Sequence, residues 1–412
     1  MPDPASQAIP VAQDSDSPEI AWRPSPAYLE RSRLRRFMEQ HGIGSVAELM
    51  TRSTTDIPWF WDAVVRDLEL EWFQPYTEVV DLTRGIEWPR WFPGGRYNYV
   101  HDAVDKHALR LRPQEQALGW EGEDGEVRGL TYEQLYWEVN KAANALKALG
   151  IGKGDRVGVF MPMIPEVVIA TLAISKIGAI FIPIFSGYAG AAVAARLTDC
   201  GARLLITADG FYRRGGQVPM KETADEAAAA SPSVEHVLVV RRLGREVPWT
   251  AERDLWWHEQ VDGQSAECPT EETDGEDLYM IIYTSGTTGR PKGAQHAHCG
   301  FPIKGAQDMA HGFDVQPGDT LFWITDIGWM MGPWAISGAL MLGATLFIYE
   351  GLPSYPQPDR LWALVERHKV THLGISPTAV RSLMGQGDHW VQAHDLSSLR
   401  FFGSTGEPWN PD

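Results

Sequence analysis

The sequence has few cysteines, no long apolar run and a minority of basic residues. Cys200, Cys268 and Cys299 are too few and too scattered for a disulfide framework, which favours a reducing compartment and predicts a cytoplasmic protein. No stretch reaches the roughly 18 consecutive apolar residues of a transmembrane helix, so no membrane span is expected. Lys and Arg total 36 against 54 Asp and Glu, and the formal net charge of -18 argues against nucleic acid or anionic membranes as partners.

This shortage of positive charge makes clustered cations informative. With 412 residues and 44% hydrophobic content, the chain can bury a large core. A site for an anionic ligand must concentrate Lys and Arg locally against an unfavourable overall field. We therefore expect such a site to stand out in the sequence.

The clearest cluster follows an apolar run at residues 278–283, which predicts a short buried strand. Hydroxyl side chains, glycines and two cations follow it: Thr284, Ser285, Gly286, Thr287, Thr288, Gly289, Arg290, Lys292 and Gly293. The glycines let backbone N–H groups approach anionic oxygens, and the hydroxyls add donors. This composition indicates a phosphate-binding loop.

Two other known phosphate-binding motifs do not fit this loop. A Walker loop requires Gly-Lys-Ser/Thr, but Gly289 is followed by Arg290 and Pro291, and a dinucleotide fingerprint fails as well. An ordinary turn without a ligand remains the alternative, although a turn has no need of so many donors beside paired cations.

Residues 283–293 closely resemble the phosphate-binding signature of the AMP-forming acyl-CoA synthetases, within the adenylate-forming superfamily. The resemblance implies that ATP phosphates contact Thr284, Ser285, Gly286, Thr287, Thr288, Gly289, Arg290 and Lys292. It also implies catalytic roles for Thr284, Thr288 and Lys292. Residues 91–98 look like the end of the N-terminal extension of acetyl-CoA synthetases, and we place the similarity from about Trp91 to Asp412.

Strand and helix patterns alternate from about Ala117. Thr131 and Gln134 predict a capping box at the start of a helix. Besides 278–283, strands are predicted at 156–160, 179–184, 203–207, 236–240, 320–323, 344–349, 372–374 and 399–402. The alternation predicts an α/β fold of doubly wound, mainly parallel sheets with helices on both faces. By resemblance it is the N-terminal domain of an adenylate-forming enzyme, incomplete at its end.

Three regions are expected along the chain. Residues 1–25 are rich in Pro, Ser and Asp and are expected to be disordered. Residues 26–100 form a helical, aromatic-rich extension with helices at about 27–40 and 57–67, its aromatics serving as packing surface. Residues 101–412 form the AMP-binding large domain, in which 244–276 is an irregular surface excursion.

Gly406, Glu407 and Pro408 follow the strand predicted at 399–402. They resemble the Gly-Glu-Pro segment that lies against the adenine and ribose of ATP in acetyl-CoA synthetases. Gly406 permits close backbone approach, and Pro408 stiffens the turn. An ordinary strand-exit turn is the alternative.

Residues 323–334 resemble the stretch that lines the acyl pocket and the entry for the CoA thiol in the family. The resemblance assigns the acyl pocket to Trp329, Met330, Met331, Trp334 and Thr405. Methionines stand where acetate-specific members have smaller or hydroxylated residues, which favours a short acid other than strictly acetate, such as propionate or a small branched or oxo acid. Simple core packing of both methionines is the alternative.

Residues 206–221 resemble a stretch in which arginines hold the nucleotide end of coenzyme A. Guanidinium groups suit phosphate recognition. The implied CoA contacts are Arg213, Arg214, Gly215, Gly216 and Met331. Arg213 matches the family, whereas Gly216 stands where a second arginine is expected; a solvated basic turn is the alternative.

His296, His298 and Cys299 are spaced too tightly for a zinc site, and no resident metal is assigned. The resemblance implies ATP, Mg2+ and coenzyme A as cofactors and a small carboxylic acid as substrate; it leaves the oligomeric state open. The sequence ends before the family's magnesium motif, ribose-binding aspartate and C-terminal lid domain, so we expect this chain alone to be inactive. A non-catalytic nucleotide- or acyl-binding module, or an adenylating enzyme with a non-CoA acceptor, stays open.

Overall fold

A computed structural model describes residues 24–284 and 291–409 of the chain. The α-helices are α1 (Pro26–Arg31), α2 (Arg33–Gln40), α3 (Val46–Thr55), α4 (Ile57–Asp67), α5 (Tyr132–Ala148), α6 (Pro165–Lys176), α7 (Gly190–Cys200), α8 (Lys221–Ala229), α9 (Trp257–Val261), α10 (Phe301–Gln307), α11 (Met331–Met341), α12 (Arg360–Arg367), α13 (Pro377–Met384) and α14 (His389–Gln392). Short π-helical segments occupy His101–Asp105, His107–Leu111 and Asp308–Gly312.

The strands form two large sheets and two small hairpin-like pairs. They are β1 (Val80–Asp81), β2 (Arg90–Trp91), β3 (Gln116–Gly122), β4 (Val127–Thr131), β5 (Arg156–Phe160), β6 (Ile180–Ile184), β7 (Leu204–Ala208), β8 (Gly210–Arg213), β9 (Gly216–Pro219), β10 (His236–Val240), β11 (Asp254–Trp256), β12 (Leu278–Thr284), β13 (Lys292–Ala297), β14 (Thr320–Trp323), β15 (Thr345–Glu350), β16 (His372–Gly374) and β17 (Phe401–Gly403).

The first large sheet has the strand order β11–β10–β7–β5–β6–β12–β13 and is parallel except for the β12–β13 pair. From β5 the chain moves to β6, then reverses past β5 to β7 and β10. Right-handed crossovers therefore place α6 on one face and α7 and α8 on the other, and α7 indeed packs on α8 while α6 packs on α5. The predicted doubly wound arrangement is confirmed.

The second large sheet has the order β17–β16–β14–β15–β3–β4 and is parallel except for β3–β4. Here the chain passes from β14 to β15 and then reverses to β16. In open α/β sheets ligands bind where such a reversal occurs, beyond the carboxyl ends of the strands. The reversals place these binding crevices between β5 and β7 in the first sheet and between β14 and β16 in the second.

Local sequence explains most of these elements. The capping box is present, because Thr131 Oγ1 accepts a hydrogen bond from the Gln134 backbone N–H and the Gln134 side chain accepts one from Thr131. Central strands such as β6 and β7 are buried along their whole length, as expected for parallel strands covered on both faces. The predicted strand limits agree with the observed ones to within two residues.

Two local expectations were wrong, and one helix was not predicted. The helix expected at 27–40 divides at Ser32, which is extended and caps α2 with its hydroxyl. The excursion at 244–276 contains β11 and α9, and β11 extends the first sheet by pairing with β10. Helix α3 was not predicted because its sequence is largely polar, with one buried residue, Leu49.

The aromatic residues of the extension pack as expected. Trp59, Phe60, Trp61 and Trp72 are half-buried against the hydrophobic core. Phe37 on α2 is fully buried and lies 4.7 Å, ring to ring, from His311 of the large domain. Among the described helices, none combines the length and apolar character needed to cross a membrane.

Candidate functional site

A hydrogen bond joins the carboxyl ends of the two large sheets. Ser186 follows β6 of the first sheet, and Asp326 follows β14 of the second. The Ser186 hydroxyl donates to Asp326 Oδ2 over 2.5 Å, and its backbone N–H donates to Oδ1 over 3.3 Å. The Gly328 N–H donates to the same Oδ1 over 2.9 Å. The loops that follow β6 and β14, at the carboxyl ends of the two sheets, are therefore in direct contact.

The loops that carry these residues touch backbone to backbone. A Cβ placed on Gly328 would lie 2.1 Å from the backbone nitrogen of Phe185, so only glycine fits at this position. The Phe185 ring then packs on Trp329, with ring centroids 5.2 Å apart. This contact positions the first half of the 323–334 stretch directly against the end of β6.

Opposing effects act on the pKa of Asp326. Burial raises the pKa, whereas the hydrogen bonds from Ser186 and Gly328 and the positive charge of Arg213 lower it, with a net upward shift. The β8–β9 hairpin that carries Arg213 follows β7, so it too leaves the carboxyl end of the first sheet.

The β8–β9 hairpin carries four of the five residues predicted to contact CoA; the fifth, Met331, begins α11. Arg214 and Gly215 form its tip, with φ of 55° and 72°, a left-handed turn for which Gly215 is well suited. The Tyr212 N–H donates to Glu350 Oε1 over 3.1 Å, and the Gly215 N–H donates to Glu123 Oε1 over 2.8 Å. Glu350 ends β15 and Glu123 directly follows β3, so these bonds hold the hairpin, which follows β7 of the first sheet, against the second sheet. Arg213, Arg214, Gly215 and Gly216 are all exposed.

Glu350 lies in a buried network under this hairpin. Its second oxygen accepts a hydrogen bond from Arg242 Nε over 2.7 Å, and Arg242 also pairs with Asp124 over 2.9 Å. Burial raises the pKa of Glu350 to about 7, although the Arg242 charge opposes this shift.

The predicted phosphate loop connects β12 to β13. Thr284 and Lys292 are paired in register where the loop leaves the sheet, and both are exposed. Since β12 runs parallel to β6, with Met280 beside Phe181, the loop starts next to the end of β6. The other predicted phosphate contacts, Ser285, Gly286, Thr287, Thr288, Gly289 and Arg290, lie outside the described residues.

The predicted adenine segment follows β17 at the edge of the second sheet. Gly406 has a φ of 105°, which an L-residue rarely adopts. Glu407 Oε1 accepts hydrogen bonds from the Thr378 hydroxyl and from its backbone N–H, the latter over 2.7 Å, and these bonds lower the pKa of Glu407. Its carboxylate thus anchors the segment to the start of α13. Pro408 is exposed.

The predicted acyl-pocket residues differ in environment. Trp329 and Met330 are 51% and 49% exposed. Met331 begins α11 and packs partly against the core, and Trp334 is buried with its ring 5.0 Å from that of Trp323. Thr405 is exposed beyond the end of β17.

Sequence reasoning missed Phe185, Ser186, Asp326 and Glu350 as residues that build the site. The signal available was their position, since each ends or directly follows a predicted parallel strand. Within residues 24–284 and 291–409, no group of three His, Cys, Asp or Glu side chains is arranged to hold a metal ion.

Comparison with known proteins agrees with this geometry. Residues 105–412 match the family described as AMP-binding enzyme, and residues 46–103 match the acetyl-coenzyme A synthetase N-terminus, so the similarity begins well before Trp91. An acetyl-coenzyme A synthetase of Methanothrix thermoacetophila is 43% identical over 93% of this chain and 58% of its own length. One of Streptomyces coelicolor is 45% identical over 89% of this chain and 56% of its own length.

A solved structure, the acetoacetyl-CoA synthetase from Streptomyces lividans, superposes with a TM-score of 0.88 at 30% identity. The match covers 95% of this chain and 60% of that one. The chain thus spans somewhat more than half the length of these relatives. With three quarters of its residues matched to one family and its fold shared with a solved acyl-CoA synthetase, the chain belongs to the AMP-binding enzyme family.

Proposed function

We propose that the protein is an AMP-forming acid–CoA ligase. In this reaction a carboxylate attacks the α-phosphate of ATP to give an acyl-adenylate and pyrophosphate, and CoA then displaces AMP to give a thioester. The observation that carries the proposal is the junction of Ser186 and Asp326, which gathers the carboxyl ends of both sheets into one site. Relatives are longer, so the activity is proposed for the whole protein and not for the 412 residues alone.

Each of the segments around this junction would bind a different part of the substrates. Thr284 and Lys292 leave the sheet beside β6, where Lys292 would neutralise ATP phosphates together with the residues of the loop between them. The anchored segment at Gly406–Pro408 would receive the adenine. Arg213 on the hairpin would pair with CoA phosphates, since guanidinium groups bind phosphate oxygens well. Catalysis would then rest largely on positioning and charge neutralisation.

Magnesium is expected to enter with ATP. The described residues offer no cluster of carboxylates that would hold the ion without the nucleotide, so we assign no magnesium ligand and derive no step through it.

We propose that the carboxylic acid substrate has a short chain. The relatives are named for acetyl-CoA and the solved structure for acetoacetyl-CoA. Met330 and Met331 are flexible and suit a slightly larger group than acetyl, such as propionyl or a small branched or oxo acyl group. A panel of acetate, propionate, isobutyrate and acetoacetate tests this in the pyrophosphate-exchange assay; acetate outrunning the others by a wide margin would refute it.

Three measurements on one protein sample test the function. ATP binding is followed by calorimetry, acyl-adenylate formation by acid-dependent ATP–pyrophosphate exchange, and thioester formation by CoA consumption. ATP–pyrophosphate exchange without CoA consumption would support an adenylating enzyme that transfers the acyl group to an acceptor other than CoA. Binding without exchange supports a non-catalytic module, and absence of ATP binding overturns the proposal.

We also propose a cytoplasmic location and a division into an extension (26–100) and a large domain (101–412). The location is supported by the thiols, since Cys200, Cys268 and Cys299 are all free. The division is supported by the separate matches to residues 46–103 and 105–412.

A further inference from the structure

A second polar cavity lies far from the candidate site. It has a volume of about 350 Å³. It lies between α2 and the end of α4 on one side, and the π-helical segment His107–Leu111, the end of α11 and the chain before β14 on the other. Gln316 and Pro317 precede β14, whereas Asp326 follows it. The four residues of β14 extend about 13 Å, so the cavity and the Ser186–Asp326 junction lie at opposite ends of the sheet.

The lining of this cavity is positively charged. Four cations face two acids there: Arg33, Arg36, Lys106 and Arg112 against Asp67 and Glu69. This formal excess of two positive charges in the lining is counted without Asp102 and Glu115, which pair with Lys106 and Arg112 from outside the lining. It occurs in a chain whose net charge is -18. A neutral or anionic lining would be the ordinary expectation for such a composition.

Two of these four cations are already held in ion pairs. Lys106 pairs with Asp102, and Arg112 pairs with Glu115. Within the part of the chain that the structure describes, Arg33 and Arg36 form no ion pair; Arg33 donates to the Val315 carbonyl over 3.3 Å and Arg36 to the Gln316 side-chain oxygen over 3.2 Å. Asp67, one of the two acids in the lining, accepts a hydrogen bond from His311 over 2.9 Å.

The shifted pKa values of two lining residues are consistent with a positively charged cavity. Burial lowers the pKa of Arg33, which shows that its guanidinium is partly removed from water. Burial also lowers the pKa of His107, another lining residue, to about 4, and the charges of Lys106 and Arg112 add to that shift. The charges of Asp67, Asp314 and Glu69 partly offset this effect on the pKa of Arg33. None of the three carboxylates forms a direct ion pair with the Arg33 guanidinium in the described structure, so a bound anion would supply a direct partner.

We propose that this cavity binds a small oxyanion with two or more negative charges, such as phosphate or a polycarboxylate. Arg33 and Arg36 are three residues apart on α2, so their side chains lie on the same helix face and can reach one anion together. Lys106 and Arg112 approach from the large domain. The anion would therefore join the N-terminal extension to the large domain. The volume is at the lower end of that of ligand pockets, which favours a small anion over a nucleotide.

Inorganic phosphate and citrate are the two probes, each measured against chloride at constant ionic strength. We expect a probe to raise the unfolding temperature of the full chain by at least about 2 °C at millimolar concentration and to give a saturable calorimetric isotherm. A response to phosphate alone identifies a phosphate-type ligand, and a response to citrate alone identifies a polycarboxylate.

Amino-acid substitutions test whether the anion binds in this cavity. Arg33→Gln/Arg36→Gln should lower the affinity at least tenfold. Arg35→Gln is the matched control, because Arg35 lies on the same helix but pairs with Glu39 in solvent. Lys292→Gln should keep the response, which separates this cavity from the predicted phosphate loop. If the double variant does not fold, Arg36→Gln alone, at an exposed position, should still weaken binding. No response to either probe, or an equal response in the Arg36→Gln variant, overturns the proposal.

Discussion

The Ser186 hydroxyl lies 2.5 Å from Asp326 Oδ2, and this bond connects a loop of the seven-stranded sheet to a loop of the six-stranded sheet. Neither residue belongs to a strand; each occupies the first positions after one. The bond therefore fixes how the carboxyl ends of the two sheets face each other, which is where substrates of doubly wound folds bind.

The first prediction concerns the strength of this connection. Asp326→Ala leaves the Ser186 and Gly328 donors without their acceptor and should reduce the free energy of unfolding by about 1–3 kcal/mol, more than Ser186→Ala does. In a double-mutant cycle the two changes should couple by at least about 0.5 kcal/mol. Ser53→Ala, at an exposed helix position, is the control. Strict additivity would show that the bond does not hold the loops together.

Glycine 328 gives the second prediction. In Gly328→Ala the new methyl group would meet the Phe185 backbone, which cannot move as a side-chain tip can, so we expect a destabilisation of about 1–3 kcal/mol together with weaker ATP and acid binding. Gly152→Ala is the matched control, because no atom lies within 4 Å of its added Cβ. Equal unfolding curves for the two variants would contradict the close approach of the loops.

The third prediction is a pH dependence due to Glu350. The pKa of this buried carboxyl is raised from 4.5 to about 7 in the folded protein. Between these pH values the folded state holds a proton that the unfolded chain has released, so this residue's contribution to stability falls as pH rises, by roughly 3 kcal/mol at most.

Glu350→Gln cannot titrate, so its stability relative to the parent protein should improve from pH 5 to pH 8 in urea unfolding. Arg242 keeps Asp124 and Glu126 as partners in this variant. Glu246→Gln, a change at an exposed carboxylate, should show no such trend. A constant difference between the Glu350→Gln variant and the parent across this range would argue against the raised pKa.

The fourth prediction separates CoA from ATP. Arg213→Ala should weaken CoA binding about tenfold, because an exposed guanidinium contributes less than a buried charge-assisted bond, and ATP binding should be unchanged. Arg84→Ala, at another exposed arginine, is the control. If calorimetry gives the same CoA affinity for both variants, the hairpin does not bind CoA.

Much of the fold could be predicted because its signals are local. Buried parallel strands such as β5 and β10 appear as short apolar runs, and the Thr131–Gln134 box marks where α5 begins. Helix α3 and strand β11 escaped prediction, since the first is mostly polar and the second is a three-residue edge strand stabilised by its pairing with β10.

The candidate site was predictable as a set of segments but not as an arrangement. The motifs at 283–293 and 406–408 are recognisable from their amino-acid composition alone. The importance of Ser186 and Asp326 becomes visible only in the folded protein, where the loops of the two sheets meet. The buried Glu350 shows the same limit, since its pKa depends on Arg242, which lies 108 positions away in sequence.

The most direct test of one shared site is the ATP affinity of Lys292→Ala, measured by calorimetry beside Lys304→Ala. Lys292 stands where the predicted phosphate loop rejoins the sheet next to β6, whereas Lys304 is an exposed helix residue paired with Asp308. We predict that Lys292→Ala weakens ATP binding by at least about tenfold, or 1.4 kcal/mol, and that Lys304→Ala leaves it unchanged. Equal ATP affinities for the two variants would contradict the account.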